Sequence, residues 1–299
     1  MWPERAFSGD AGASRQQAAQ RSTLVSVGVN TLLATIQILV GWLSHSQALV
    51  ADGLHSLADL LADGVVLLAN HHSHRDADAD HQYGHYRFEN AASLALGLLL
   101  IFVGGHMLWS AIDRLQNTSS LVSIAPMALA VALTGLISKE ILFQYLLHVA
   151  TRVRSSLLIA NAWHARSDSL SSLVVSIGVA GNLLGYKLFD PIAALLVGLM
   201  VLRMGVHFAW EALNDLMDRA ASQEEVDAIH QTIITTPGVL GLHNLRTRKV
   251  GDLLMVDVHL EIDGDLRVRE GHDIAEHVQE RVQRLHRVVD VMTHVDPKP

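Results

Sequence analysis

Residues 22–51, STLVSVGVNTLLATIQILVGWLSHSQALVA, contain no Asp, Glu, Lys or Arg. A helix needs about 20 apolar residues to cross the hydrocarbon of a bilayer, so this stretch is long enough to span one. Two more charge-free stretches run over 90–112 and 115–138. Hydrophobic segments with a few ionisable residues lie at about 47–70, 157–185 and 189–210, and the fourth segment extends to about 148. The pattern predicts an α-helical membrane protein with six transmembrane helices. Residues 1–20 are polar and lack an apolar core, so no signal peptide is expected.

The composition agrees. Of 299 residues, 50% are hydrophobic and 17% charged, against about a quarter charged in soluble domains. Residues 212–299 nevertheless carry 16 acidic and 10 basic side chains, half of all the charge. The expected organisation is an N-terminal tail over 1–20, a transmembrane domain over 21–211 and a soluble domain over 212–299. A formal net charge of −8 argues against a nucleic-acid partner. The absence of Cys excludes thiolate metal sites, catalytic thiols and disulfides.

Basic residues orient the helices. Arg5, Arg15, Arg21, Arg75, Arg87, Arg152, Arg154 and Arg219 fall on one side, against Arg114 and Lys187 on the other. Both termini are therefore expected in the cytoplasm of a multi-pass protein in the lipid bilayer. In the tail, Ser222 to Thr235 reads as a helix with Ser222 as N-cap and Glu225 in capping-box spacing. Strand patterns follow at about 239–248 and 253–262, then a helix at about 270–286 and a strand at about 288–295. The α-β-β-α-β order predicts a small α+β sandwich.

Ionisable residues inside spanning helices are costly and point to function. The second helix carries HSLAD at 55–59 and the fifth HARSD at 164–168. In each, His and Asp are four apart and share a helix face. Two such faces turned together would present His55, Asp59, His164 and Asp168 as an N2O2 set suited to Zn²⁺. Asp52 and Asp63 are either entry carboxylates or solvated residues near the helix ends. Arg166 either pairs with Glu140 or snorkels. The loop after the second helix holds Asp76, Asp78 and Asp80 just before His81 and His85, read either as a second, more exposed metal site or as a solvated acidic loop. In the tail, Val256, Val258, Leu260 and Ile262 alternate with polar residues, so His259 faces outward. With His243, His272, His294 and Asp296 nearby, a binding surface is the expected reading.

These residues resemble the cation diffusion facilitator family, and within it the bacterial iron/zinc exporter branch. The resemblance runs from about Gln20 to Pro297. It rests on the two HxxxD pairs, GHYRFEN at 84–90, DPIAAL at 190–195, GLHNLRTR at 241–248, VHLE at 258–261 and HVDP at 294–297. It implies a transport site at His55, Asp59, His164 and Asp168, and a loop site at Asp78, His81 and His85. It also implies a binuclear cytoplasmic site at His243, His259, His272, His294 and Asp296, and an ion pair between Arg87 and Asp218 at the dimer's membrane–cytoplasm junction. The implied tail fold is ferredoxin-like and metallochaperone-like, the implied assembly a homodimer, and the implied location the inner membrane. Many members of the branch have Asp at the position of His55, and the extra imidazole favours Zn²⁺ over harder ions.

The expected activity is proton-coupled exchange that exports Zn²⁺, with Cd²⁺, Fe²⁺, Co²⁺ and Ni²⁺ as further candidate ions, regulated by metal in the tail. The rivals are an uptake carrier or a metal-gated channel using the same ligands. A membrane zinc hydrolase is disfavoured, since four protein ligands leave no open position; the chain is not expected to be an enzyme.

Overall fold

The computed structural model describes residues 9–73, 77–117, 123–153, 156–251 and 253–298. Six long helices come first: α1 (Gly9–Leu43), α2 (Gln47–Ser73), α3 (Arg87–Gln116), α4 (Met127–Val153), α5 (Ser156–Leu183) and α6 (Phe189–Leu216). Then follow α7 (Gln223–Ile234), β1 (Gly241–Val250), β2 (Leu253–Asp263), α8 (Val268–Leu285) and β3 (Val288–Lys298). The order is the one expected from the sequence. Among the described residues, four segments are long and apolar enough to cross a membrane: Leu24–Leu43, Arg87–Gln116, Met127–Arg152 and Phe189–Leu216. The helices bearing HSLAD and HARSD, α2 and α5, have similar length but more polar residues.

The chain divides into two compact units, one of residues 1–64 and 98–206, the other of 65–97 and 207–299. The first is a helical bundle whose buried core combines small and β-branched residues, among them Ala48, Ala111, Ala128, Ala132, Val175, Val179, Val197 and Val201. Small residues allow the close helix approach that replaces hydrophobic driving force in lipid. A Cβ on Gly104 of α3 would lie 2.6 Å from the Leu202 amide nitrogen of α6, and one on Gly205 of α6 would lie 2.7 Å from that of Ile101. The outward side chains are apolar, with Phe102 75% and Trp109 76% exposed, an arrangement suited to lipid.

The uncharged stretch 22–51 is interrupted once. At Ser44-His45-Ser46 the chain reverses between α1 and α2, with His45 at φ +61°. The freed α2 amides are capped from α6: Asp190 accepts from Ser46 Oγ at 2.6 Å, Gln47 N at 2.9 Å and Ala48 N at 3.3 Å. A carboxylate there also meets the positive end of the helix dipole.

In the second unit, β1 and β2 are antiparallel and β2 and β3 parallel, in the order β1-β2-β3. The alternation read in β2 holds: Val256, Val258, Leu260 and Ile262 are buried against Ile229 and Ile233 of α7 and Ala275, Val278 and Val282 of α8. Burying such a side chain contributes about 1.5–3 kcal/mol. The capping box also holds, with the Glu225 amide donating to Ser222 Oγ and the Ser222 amide to the Glu225 carboxylate. The hydrogen bonds from Ser222 lower the Glu225 pKa.

The contrast between two adjacent glycines tests the α3–α6 packing. Gly105 has open space where its Cβ would go, so Gly105→Ala is expected to leave thermal stability in detergent unchanged. Gly104→Ala should destabilise by about 1–3 kcal/mol through overpacking, read as a fall in Tm.

Candidate metal centres

Helical spacing puts His55 and Asp59 on one face of α2, and Asp168 of α5 meets them. His55 Nδ1 lies 3.9 Å from Asp59 Oδ2, and His55 Nε2 lies 3.9 Å from Asp168 Oδ1. These separations are too long for hydrogen bonds. With one ligand atom taken from each residue, the three lie within 4.8 Å of one another, against roughly 3.3 Å for two ligands about 2.05 Å from a tetrahedral Zn²⁺. His55 is only 5% exposed, and its Nδ1 is buried without a hydrogen-bond partner. A buried polar atom left unbonded is costly unless something binds it. His164, one turn before Asp168, is exposed and stands outside this group of three.

Next to the cluster is a feature that periodicity did not reveal. Asp52 is fully buried, so solvation near a helix end does not apply to it. Its carboxylate pairs with Lys139 Nζ of α4 at 3.1 Å and accepts from Gln37 Nε2 of α1 at 2.6 Å. It also accepts from Ser172 Oγ at 2.8 Å and Ser171 Oγ at 3.4 Å, both on α5. Four helices thus meet on one carboxylate. The available signal was Lys139, an ammonium group in the middle of an apolar segment. Arg166 places its guanidinium over Phe143 at 4.8 Å and Trp163 at 5.6 Å, a cation–π arrangement. Glu140 accepts from Gln144 and Ser169. The side chain of Asp63 and the whole of Asp76 lie outside the described residues.

The loop before α3 gathers Asp78, His81 and His85. Asp78 Oδ1 accepts from the amides of His81 at 2.8 Å and Asp80 at 3.0 Å, closing the turn. The carboxylate also faces His81 Nδ1 at 3.6 Å and His85 Nε2 at 3.4 Å. The His81 amide, with the Asp80 amide and the two imidazoles, holds the Asp78 carboxyl below its usual range against partial desolvation. His85 is buried, stacks on Phe88 with ring centres 5.6 Å apart, and leaves Nδ1 unbonded. Arg87 pairs with Asp218 within the chain.

In the sheet, strand register builds the third group. His243 pairs with His259, and His259 with His294, so three imidazoles line up across β1, β2 and β3. Neighbouring ring centres are 4.9 and 4.6 Å apart. Asp296 approaches His259 Nδ1 at 3.0 Å, His243 Nε2 at 3.1 Å and His294 Nε2 at 3.4 Å. Desolvation opposes ionisation of Asp296, but the His259 hydrogen bond and the imidazole charges outweigh it and lower its pKa. His272 is exposed on α8 and is not gathered with these residues.

Three His/Asp clusters, two of them in or beside the long helices, are matched by similarity over nearly the whole chain. Residues 23–217 match the cation efflux transmembrane domain, and residues 221–298 the cation efflux protein cytoplasmic domain. The chain belongs to the cation diffusion facilitator family. Membership makes it a multi-pass membrane protein of a cation efflux family, with its α+β domain in the cytoplasm. Among its relatives is Metal tolerance protein 2 of Oryza sativa subsp. japonica, 33% identical over 93% of this chain and 78% of that protein. The Manganese efflux system protein MneS of Bacillus subtilis (strain 168) is 30% identical over 93% of this chain and 95% of that protein. The Magnetosome protein MamB of Magnetospira sp. (strain QH-2) is 31% identical, covering 90% and 92% respectively. None of these comparisons singles out the iron/zinc branch.

The loop geometry can be tested without any metal. Asp78→Ala removes the acceptor for two amides and is expected to speed hydrogen exchange at Asp80 and His81 by about tenfold, the effect of losing one net hydrogen bond. Asp78→Asn keeps an acceptor oxygen and should leave those amides close to the parent rate.

Proposed function

We propose that this chain is a divalent-cation exporter whose principal substrate is Zn²⁺, driven by exchange against protons. The observation that carries the reading is His55, buried with an unbonded Nδ1 between the carboxylates of Asp59 and Asp168. One imidazole and two carboxylates suit a borderline ion better than a purely oxygen-lined site does. In this reading His164, on the same face of α5, completes the set when it turns inward. The relatives' printed names, metal tolerance and manganese efflux, support a divalent transition metal as cargo.

The coupling follows from ligand chemistry. Metal binding needs neutral imidazole and ionised carboxylate, so affinity falls as protons compete for the same atoms. An inward proton gradient then drives release on the outer side and return of the protonated site. The protein works as a homodimer in the inner membrane with both termini cytoplasmic. Asp78, His81 and His85 form a second metal site at the loop. The row of His243, His259 and His294 with Asp296 binds cytoplasmic metal, His272 joins it on the same domain, and occupancy stabilises the transporting dimer.

The decisive measurement is Zn²⁺ flux in proteoliposomes with an imposed pH gradient. Flux should follow the gradient, and Asp59→Ala or Asp168→Ala should reduce it to background. Zn²⁺ movement indifferent to pH would leave a metal-gated channel, and movement in the opposite sense an uptake carrier. Competition among Zn²⁺, Cd²⁺, Co²⁺, Ni²⁺, Fe²⁺ and Mn²⁺, repeated with His55→Asp, should show the variant losing preference for Zn²⁺ over Mn²⁺.

A further inference from the structure

The polar knot at Asp52 lies one helical turn from the proposed transport site on both metal-bearing helices. Asp52 precedes His55 by three residues in α2, and Ser171 and Ser172 follow Asp168 by three and four in α5. The Lys139 ammonium is held on Asp52 Oδ1 at 3.1 Å, which fixes its charge beside both metal-bearing helices. No ligand role explains a buried lysine here, because an ammonium cannot coordinate a metal.

The pairing of Lys139 with Asp52 at 3.1 Å supplies a role, because the pair brings no net charge to a place one turn from the ligands. Around the cluster the described titratable side chains are those of Asp52, Lys139, Asp59, Asp168, His55 and His164. Glu140 and Arg166, on α4 and α5, are engaged with Gln144 and Ser169 and with two aromatic rings respectively. Asp52 and Lys139 cancel. The net charge of the site is then left to its own ligands and to the ion they hold. In a medium of low dielectric, one uncompensated charge strongly disfavours the state that carries it.

We propose that Asp52 and Lys139 are the charge reference of the transport site, a fixed neutral pair that sets how tightly a divalent ion is held and how readily it leaves. They are positioning residues and touch no ion. The proposal rests on the transport-site reading above and predicts changes of opposite sign from its two members. Lys139→Met leaves an extra negative charge beside the site, so KM for Zn²⁺ falls by about tenfold and Vmax falls as release slows. Asp52→Asn leaves an extra positive charge, so KM rises by about tenfold. The double variant restores the balance and brings KM back toward the parent value.

The test is Zn²⁺ flux by the full chain in proteoliposomes for these three variants and Asp59→Ala, with folding checked by gel filtration. Opposite KM shifts with recovery in the double variant support the proposal. Shifts of the same sign, or a double variant as impaired as the worse single one, overturn it and leave the knot a packing element. If a single variant does not fold, the double variant decides: recovered KM supports the charge reference, and loss of flux or of folding overturns it. Asp59→Ala separates the two readings. Retained flux there refutes the transport site itself, whereas lost flux with same-sign shifts refutes the charge reference alone.

Discussion

Hydrocarbon offers an ionised carboxylate nothing to bind, so each acid taken into the helical bundle must be matched by another part of the chain or by cargo. The bundle shows the first solution at Asp52 and, on the transport-site reading proposed above, the second within one turn of helix. Asp52 is satisfied by Lys139, Gln37 and two serines. Asp59 and Asp168 are left facing His55 at distances too long for hydrogen bonds. The fully bonded carboxylate holds α1, α2, α4 and α5 together, one turn from the candidate ligands. The packing of the bundle and the placing of the candidate ligands thus come from one electrostatic constraint.

The cytoplasmic unit faces a different solvent and solves a different problem. Its core comes from the alternating strand β2, Val288 and Val291 of β3 and two amphipathic helices, which leaves the opposite sheet face free for polar groups. Because strands pair in register, one His per strand is enough to bring three rings together with Asp296. The site is a by-product of sheet geometry and needs no loop to build it. In the membrane unit, by contrast, the site depends on how helices distant in sequence rotate against one another.

That difference explains what was legible beforehand. The capping box at Ser222 and Glu225, the alternation of β2 and the order of all elements are local patterns, and local chemistry is strong enough to impose them. The HSLAD spacing was readable for the same reason, because four residues always return to one helix face. The partners of Asp52 were not readable, since Gln37 and Lys139 lie 15 and 87 residues away and periodicity within a helix says nothing about which neighbour it meets. His164 and His272 show the same limit: each has plausible spacing, yet each stands exposed outside the group that its neighbours form.

The cap that Asp190 places on α2 has a mechanical consequence. Its bonds grip the helix at Ser46, Gln47 and Ala48, and the Asp52 knot grips it again little more than one turn later. A rod clamped at two such points cannot turn about its own axis, so the azimuth of His55 and Asp59 is locked. The half of α5 before Asp168 has no equivalent pair of clamps among the described residues. On the transport-site reading proposed above, any adjustment that adds a ligand therefore belongs to α5 and its His164, with α2 as the stationary jaw.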